Sequence, residues 1–113
     1  MTVGEWLDAR NPPPPPELAA LIRDALRAAL HEDVARIPDI CTGEAERLLR
    51  GSLAGGCSSR ARAVELLAAD ALLTYAFEAA ADTPDTLDAR ADAAMKRIAA
   101  VGDSAVRQSA PCG

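Results

Sequence analysis

The chain has 113 residues, enough for one domain and hardly for two. Half of them are apolar but only 3% are aromatic, and 26 Ala with 13 Leu far outnumber the nine Val and Ile. That balance excludes a β fold filled by branched and aromatic side chains, and the net charge of −5 argues against a nucleic-acid partner, since phosphate neutralisation needs a positive excess.

Thr2-Val3-Gly4-Glu5 reads as a capping box, so a short helix over about Val3 to Ala9 is predicted, presenting Trp6 and Leu7. The prolines at 12 to 16 follow as a stiff polyproline connector, with Trp6 packing on them. Pro16 suits the first position of the next helix, where its missing N–H has no partner to lose. Leu18, Leu21, Ile22, Ala25, Leu26, Ala29 and Leu30 then fall on one helical stripe. Val34 and Ile37 continue the period, which predicts a helix reaching Arg36 and ending at Pro38. His31-Glu32-Asp33 is metal-ligand material, but consecutive helical residues point to different sides, so no metal is expected.

A second main helix is predicted from Asp39 to Ala54, burying Ile40, Cys41, Ala45, Leu48, Leu49 and Leu53, and closed by Gly55-Gly56. The third opens at Ser58 or Ser59 and runs to about Ala81. It is apolar over most of its circumference, which predicts a central, buried helix containing Leu72 and Phe77. The fourth runs from Pro84 to Val101 with Leu87, Ala91, Ala94, Met95, Ile98 and Val101 on one face. Gly102 suits a left-handed C-terminal cap, leaving 103–113 as a flexible tail to a single domain over 1–102. The expected fold is a compact all-α bundle of four main helices, with the short N-terminal helix joined by the polyproline segment.

Two constellations stand out. Gly55, Gly56, Cys57, Ser58, Ser59, Arg60 and Arg62 form a glycine-rich entry to a helix, with Arg47 and Arg50 shortly before it. Free amides, hydroxyls and guanidiniums in that order can hold an anion, and the same field would activate the Cys57 thiol. The competing reading is an interhelical turn with a Ser cap and solvated arginines. Asp70, Thr74 and Glu78 recur every four residues and draw one polar line along the third helix. That line is either the wall of a groove or a narrow solvated stripe that ion-pairs with neighbouring helices.

Within the same helix, Ala69-Asp70-Ala71-Leu72-Leu73-Thr74-Tyr75-Ala76-Phe77-Glu78 is similar to a helix of trans-isoprenyl diphosphate synthases reading Gly-Asp-Ala-Leu-Leu-Thr-Leu-Ala-Phe-Glu. The resemblance covers about a tenth of the chain and implies a helical environment. Those enzymes hold diphosphates through Mg²⁺ on Asp-rich motifs. This chain contains no DDxxD, so none of their catalytic residues is matched and prenyl transfer is not carried over.

Cys41, Cys57 and Cys112 are odd in number and share no CxxC spacing, so free thiols are expected rather than a disulfide framework. No apolar run approaches the ~20 residues of a bilayer span, and the first residues lack a signal-peptide pattern, which predicts a cytoplasmic domain without a membrane partner. An alanine-rich core buries little area per residue, so burial in a second copy would supply what the monomer lacks. The expectation is a non-enzymatic interaction or regulatory module without a cofactor, whose partner is itself or another protein. A binding protein for a small anionic or apolar ligand, at the Gly55–Arg62 turn or along the third helix, is the alternative. A Cys57 thiol enzyme is the third choice.

Overall fold

A computed structural model of the chain describes residues 1–54, 59–82 and 84–108. The described residues form an all-α bundle, as the composition predicted. Helix α1 spans Val3–Asp8 and starts as predicted. Thr2 Oγ1 accepts from the Glu5 amide at 3.2 Å, and the Glu5 carboxylate accepts from the Thr2 amide at 3.1 Å. That second bond holds the Glu5 carboxyl below its ordinary range. Pro15 is extended at φ −54°, ψ 150°, and Pro16 is the first residue of α2, Pro16–Ala25.

The first correction concerns where α2 ends. It stops at Ala25, eleven residues before Arg36, and the chain continues through 3₁₀ turns at Arg27–Ala29 and Val34–Arg36. The cause lies far away in sequence. The first amides of α1 have no partner within their own helix. Val3 donates to the Glu32 carbonyl and Gly4 to the Leu30 carbonyl, both at 2.9 Å, and Val34 donates back to Met1 at 3.0 Å. Residues 30–34 therefore lie open to receive the N-terminus instead of coiling. A Cβ on Gly4 would stand 3.3 Å from the Leu30 oxygen, so this approach favours glycine. Leu30 and Val34 still pack on the core, because a turn of three residues keeps nearly the spacing of a turn of 3.6.

Helix α3 is Ile37–Ala54. Pro38 sits in its first turn, where an amide is dispensable, rather than closing the preceding helix. Ile37, Cys41 and Ala45 are buried as its inner face. At its far end the inward residue is Ser52, while Leu53, expected inside, is exposed. Helix α4, Ser59–Ala80, lies along α3 and buries Ala68, Ala69, Leu72, Ala76 and Ala80. A 3₁₀ turn at Pro84–Thr86 leads into α5, Leu87–Gln108. Gly102 lies inside that helix and does not cap it, a second correction: glycine permits the left-handed turn without requiring it. Ala94 and Val101 face inward, but Met95 is 70% exposed, because α5 meets the bundle along a narrow stripe. Arg97 and Arg90 of α5 reach Glu46 and Asp39 of α3 at 2.7 and 3.1 Å. No described helix is long and apolar enough to cross a membrane.

The expectation that Leu72 and Phe77 are both core residues holds for Leu72 only, since Phe77 is 37% exposed. Truncation of Leu72 to Ala is expected to cost ~2–5 kcal/mol, with Phe77→Ala costing less than half as much. Urea denaturation midpoints of the two variants, taken at nanomolar protein concentration, check this ordering for the single chain.

Candidate interaction surface

Of the predicted anion site, Gly55, Gly56, Cys57 and Ser58 lie outside the described residues, and Ser59 opens α4. Arg47 bonds Glu44 at 2.7 Å and Arg50 bonds Glu46 at 3.2 Å, each along α3 itself. Arg60 stands 3.7 Å from Glu17 of α2, and Arg62 is half-buried. Three of the four guanidiniums are thus already beside a carboxylate, which lowers the field they offer to an anion. Cys112 is outside the described residues as well. Cys41 is fully buried, and burial pushes its thiol up from 9.0 to about 12, with the Glu44 carboxylate adding to the effect.

The predicted polar line is present. Asp70, Thr74 and Glu78 all lie on the outer side of α4. Thr74 Oγ1 donates to the Asp70 carbonyl at 3.0 Å, and Glu78 accepts from Arg10 at 3.1 Å. The latter bond belongs to a node that the sequence did not foretell. The Arg10 guanidinium lies 3.6 Å above the Trp6 ring while its Nε donates to the Trp6 carbonyl. Trp6 in turn meets Tyr75 of α4 edge-on, with ring centroids 5.5 Å apart at 81°. Trp6 and Arg10 are four residues apart, the spacing that stacks side chains on a helix, and that was the available signal. What it could not supply was Glu78, 68 residues away. Beside the node, Leu7, Pro13, Pro14, Ile22, Arg23 and Tyr75 help to line a cleft of about 200 Å³. Burial raises the Tyr75 hydroxyl above its ordinary range, and the Glu78 carboxylate adds to the rise.

The largest departure from expectation is α4 itself. A helix apolar nearly all round was predicted to be enclosed, yet one side of it is open. Leu66, Leu67 and Phe77 are 39%, 56% and 37% exposed, and Ala63, Asp70, Thr74 and Ala81 share their side. Among the described residues, α3, α2 and α5 pack on α4, and Trp6 and Arg10 reach it, while this side stays exposed.

Arg10 and Cys41 each lead to a measurable outcome. Arg10→Ala removes the ring stacking and the Glu78 bond and is expected to cost ~1–2 kcal/mol, read by thermal or urea unfolding. Arg10→Lys is not expected to recover it in full, because an ammonium lacks the planar stack and the fork of donors. In a Cys57→Ser/Cys112→Ser variant, Cys41 is expected to resist thiol reagents near pH ~8 until the protein unfolds. Between pH 9.0 and about 12 the folded chain keeps the Cys41 proton and the unfolded chain loses it. Its contribution to stability is therefore present below 9.0 and is lost as pH rises, which the pH slope of denaturant midpoints reads against a Cys41→Ala control. Compared with protein-family models, curated proteins and solved structures, the chain matches none.

Proposed function

We propose that this chain is a small non-enzymatic interaction module that self-associates through the open side of α4. The observation that carries this reading is the row of Leu66, Leu67 and Phe77, displayed on a regular helix instead of being folded inward. The composition of the interior supports it. The buried set on α3 and α4 includes Ala45, Ala68, Ala69, Ala76 and Ala80, whose side chains contribute little area each. Covering two leucines and a phenylalanine that are 37–56% exposed would add up to about half of the ~1.5–3 kcal/mol that full burial of each is worth.

The cleft under the proline strap favours a second reading, a site for a small apolar ligand. Its walls are mainly Leu7, Pro13, Pro14, Ile22 and Tyr75, and its charged rim is internally balanced, with Arg23 bonding Asp8 at 2.8 Å. An apolar cavity of this order can hold a benzene-sized molecule. The first reading is preferred because it accounts for the exposed side chains.

Sedimentation equilibrium tests it. A dimer with micromolar affinity is expected, and Leu67→Asp is expected to shift the protein to monomer while retaining its helical circular dichroism. A parent chain that stays monomeric at high concentration overturns the reading.

A further inference from the structure

The open side of α4 has an internal order that a merely greasy patch would lack. Ala63, Leu67, Asp70, Thr74, Phe77 and Ala81 are all exposed, and their spacing is 4, 3, 4, 3, 4. That is the alternation of a coiled-coil seam. Ala81 belongs to it because its amide still bonds the Phe77 carbonyl at 3.0 Å, one step past the end of the helix. The seam also reads as its own complement when reversed. Ala63 and Ala81, Leu67 and Phe77, and Asp70 and Thr74 lie at equal distances on either side of position 72.

We infer that the partner of this surface is a second copy of the chain, whose α4 lies antiparallel to the first about a two-fold axis at the level of Leu72. This inference rests on the self-association proposed above and adds its orientation and register. In that arrangement Leu67 of one copy faces Phe77 of the other, and the small Ala63 faces the small Ala81. Large therefore meets large in the inner layers, and the end layers are small on both helices. Asp70 faces Thr74 of the second copy, whose hydroxyl can turn from its present bond with the Asp70 carbonyl of its own helix to the facing carboxylate. At each end, Arg62 near the start of one helix comes level with Asp82, just past the end of the other, while Arg60 stands beside Glu17 of its own chain. Charges of opposite sign thus meet at both ends, and the two helix dipoles run in opposition.

The alternatives are worse on the same residues. A shift of one heptad in one direction sets Leu67 against Asp70, which puts an apolar side chain on a carboxylate. A shift in the other direction carries Leu67 beyond Ala81 and leaves it uncovered. A parallel pair in register sets Asp70 against Asp70, which is repulsive, and aligns the helix dipoles. The polar Asp70–Thr74 layers cost affinity and specify the register, a known use of a polar residue in such a seam.

Cysteine pairs read the arrangement directly. In a Cys57→Ser/Cys112→Ser background, Ala63→Cys and Ala81→Cys are small changes at exposed positions. Within one helix the two sites are ~27 Å apart, so they cannot bridge in the same chain. Under a glutathione redox buffer the double variant is expected to form a covalent dimer whose peptide map shows 63 linked to 81. Each single variant is expected to remain uncrosslinked, and mixing the two singles is expected to give the heterodimer. Leu67→Asp in the double-cysteine variant is expected to lower the crosslinking rate at least tenfold. Crosslinking of Ala63→Cys to itself overturns the antiparallel order. A double variant that dimerises in sedimentation without crosslinking overturns the register and leaves self-association standing. A monomer in sedimentation overturns both.

Discussion

The smallness of the side chains between α3 and α4 is the constraint on which this bundle is built. Where Ala45, Ala68, Ala69, Ala76 and Ala80 fill the inner faces, two helices satisfy one another with little volume, and the interior is soon full. Leu26, Ile37, Cys41 and Leu72 complete it. Leucines and the phenylalanine of α4 that exceed this volume have no place inside, because a close-packed core does not stretch to admit another large side chain. The open side of α4 is thus the counterpart of an alanine-filled interior. Ion pairs accompany the apolar contacts at the periphery, as where Arg97 and Arg90 of α5 reach α3. Glu46 shows the direction of that coupling, its carboxyl held below the ordinary range by the hydrogen bond from Arg97 and then that from Arg50.

The N-terminal segment solves a different problem, the orphan amides of a helix too short to satisfy itself. Its solution reshapes the neighbouring chain. Val3 and Gly4 draw carbonyls from 30–32, and α2 gives up its last turns to provide them. Trp6 and Arg10 then fasten the same segment to Tyr75 and Glu78 on α4. One short helix in this way joins the segment at 30–34 to α4.

Features that depend on neighbours in sequence were legible there. The Thr2–Glu5 box and the common line of Asp70, Thr74 and Glu78 follow from spacings of three or four residues, and Pro16 at the start of α2 and the opening of α4 near Ser59 from single residues suited to a helix start. The end of α2 was not legible, since 3₁₀ turns preserve the apolar period and the carbonyls it exposes answer to Met1–Gly4. Nor was the inward face of α4. A helix apolar nearly all round gives no directional signal, so Leu72 and Phe77 looked alike until the neighbours of each were known. Met95 misled for the related reason that α5 needs only the stripe through Ala94 and Val101. Of the candidate site, the polar line could be read from the chain, whereas the apolar side chains beside it could not be recognised as exposed.

The strap formed by Trp6 and Arg10 also bears on the order in which the chain assembles. The α3–α4 hairpin joins segments adjacent in sequence, so its loop closes at small entropic cost. The strap must instead bring Arg10 to Glu78 across 68 residues, and the surface it docks on exists only once α4 is in place. Local contacts form early and distant ones late when loop closure governs the barrier. Weakening the strap, for example with Trp6→Leu, should therefore speed unfolding while leaving the refolding rate almost unchanged. A matching fall in the refolding rate would instead place the strap in the folding nucleus.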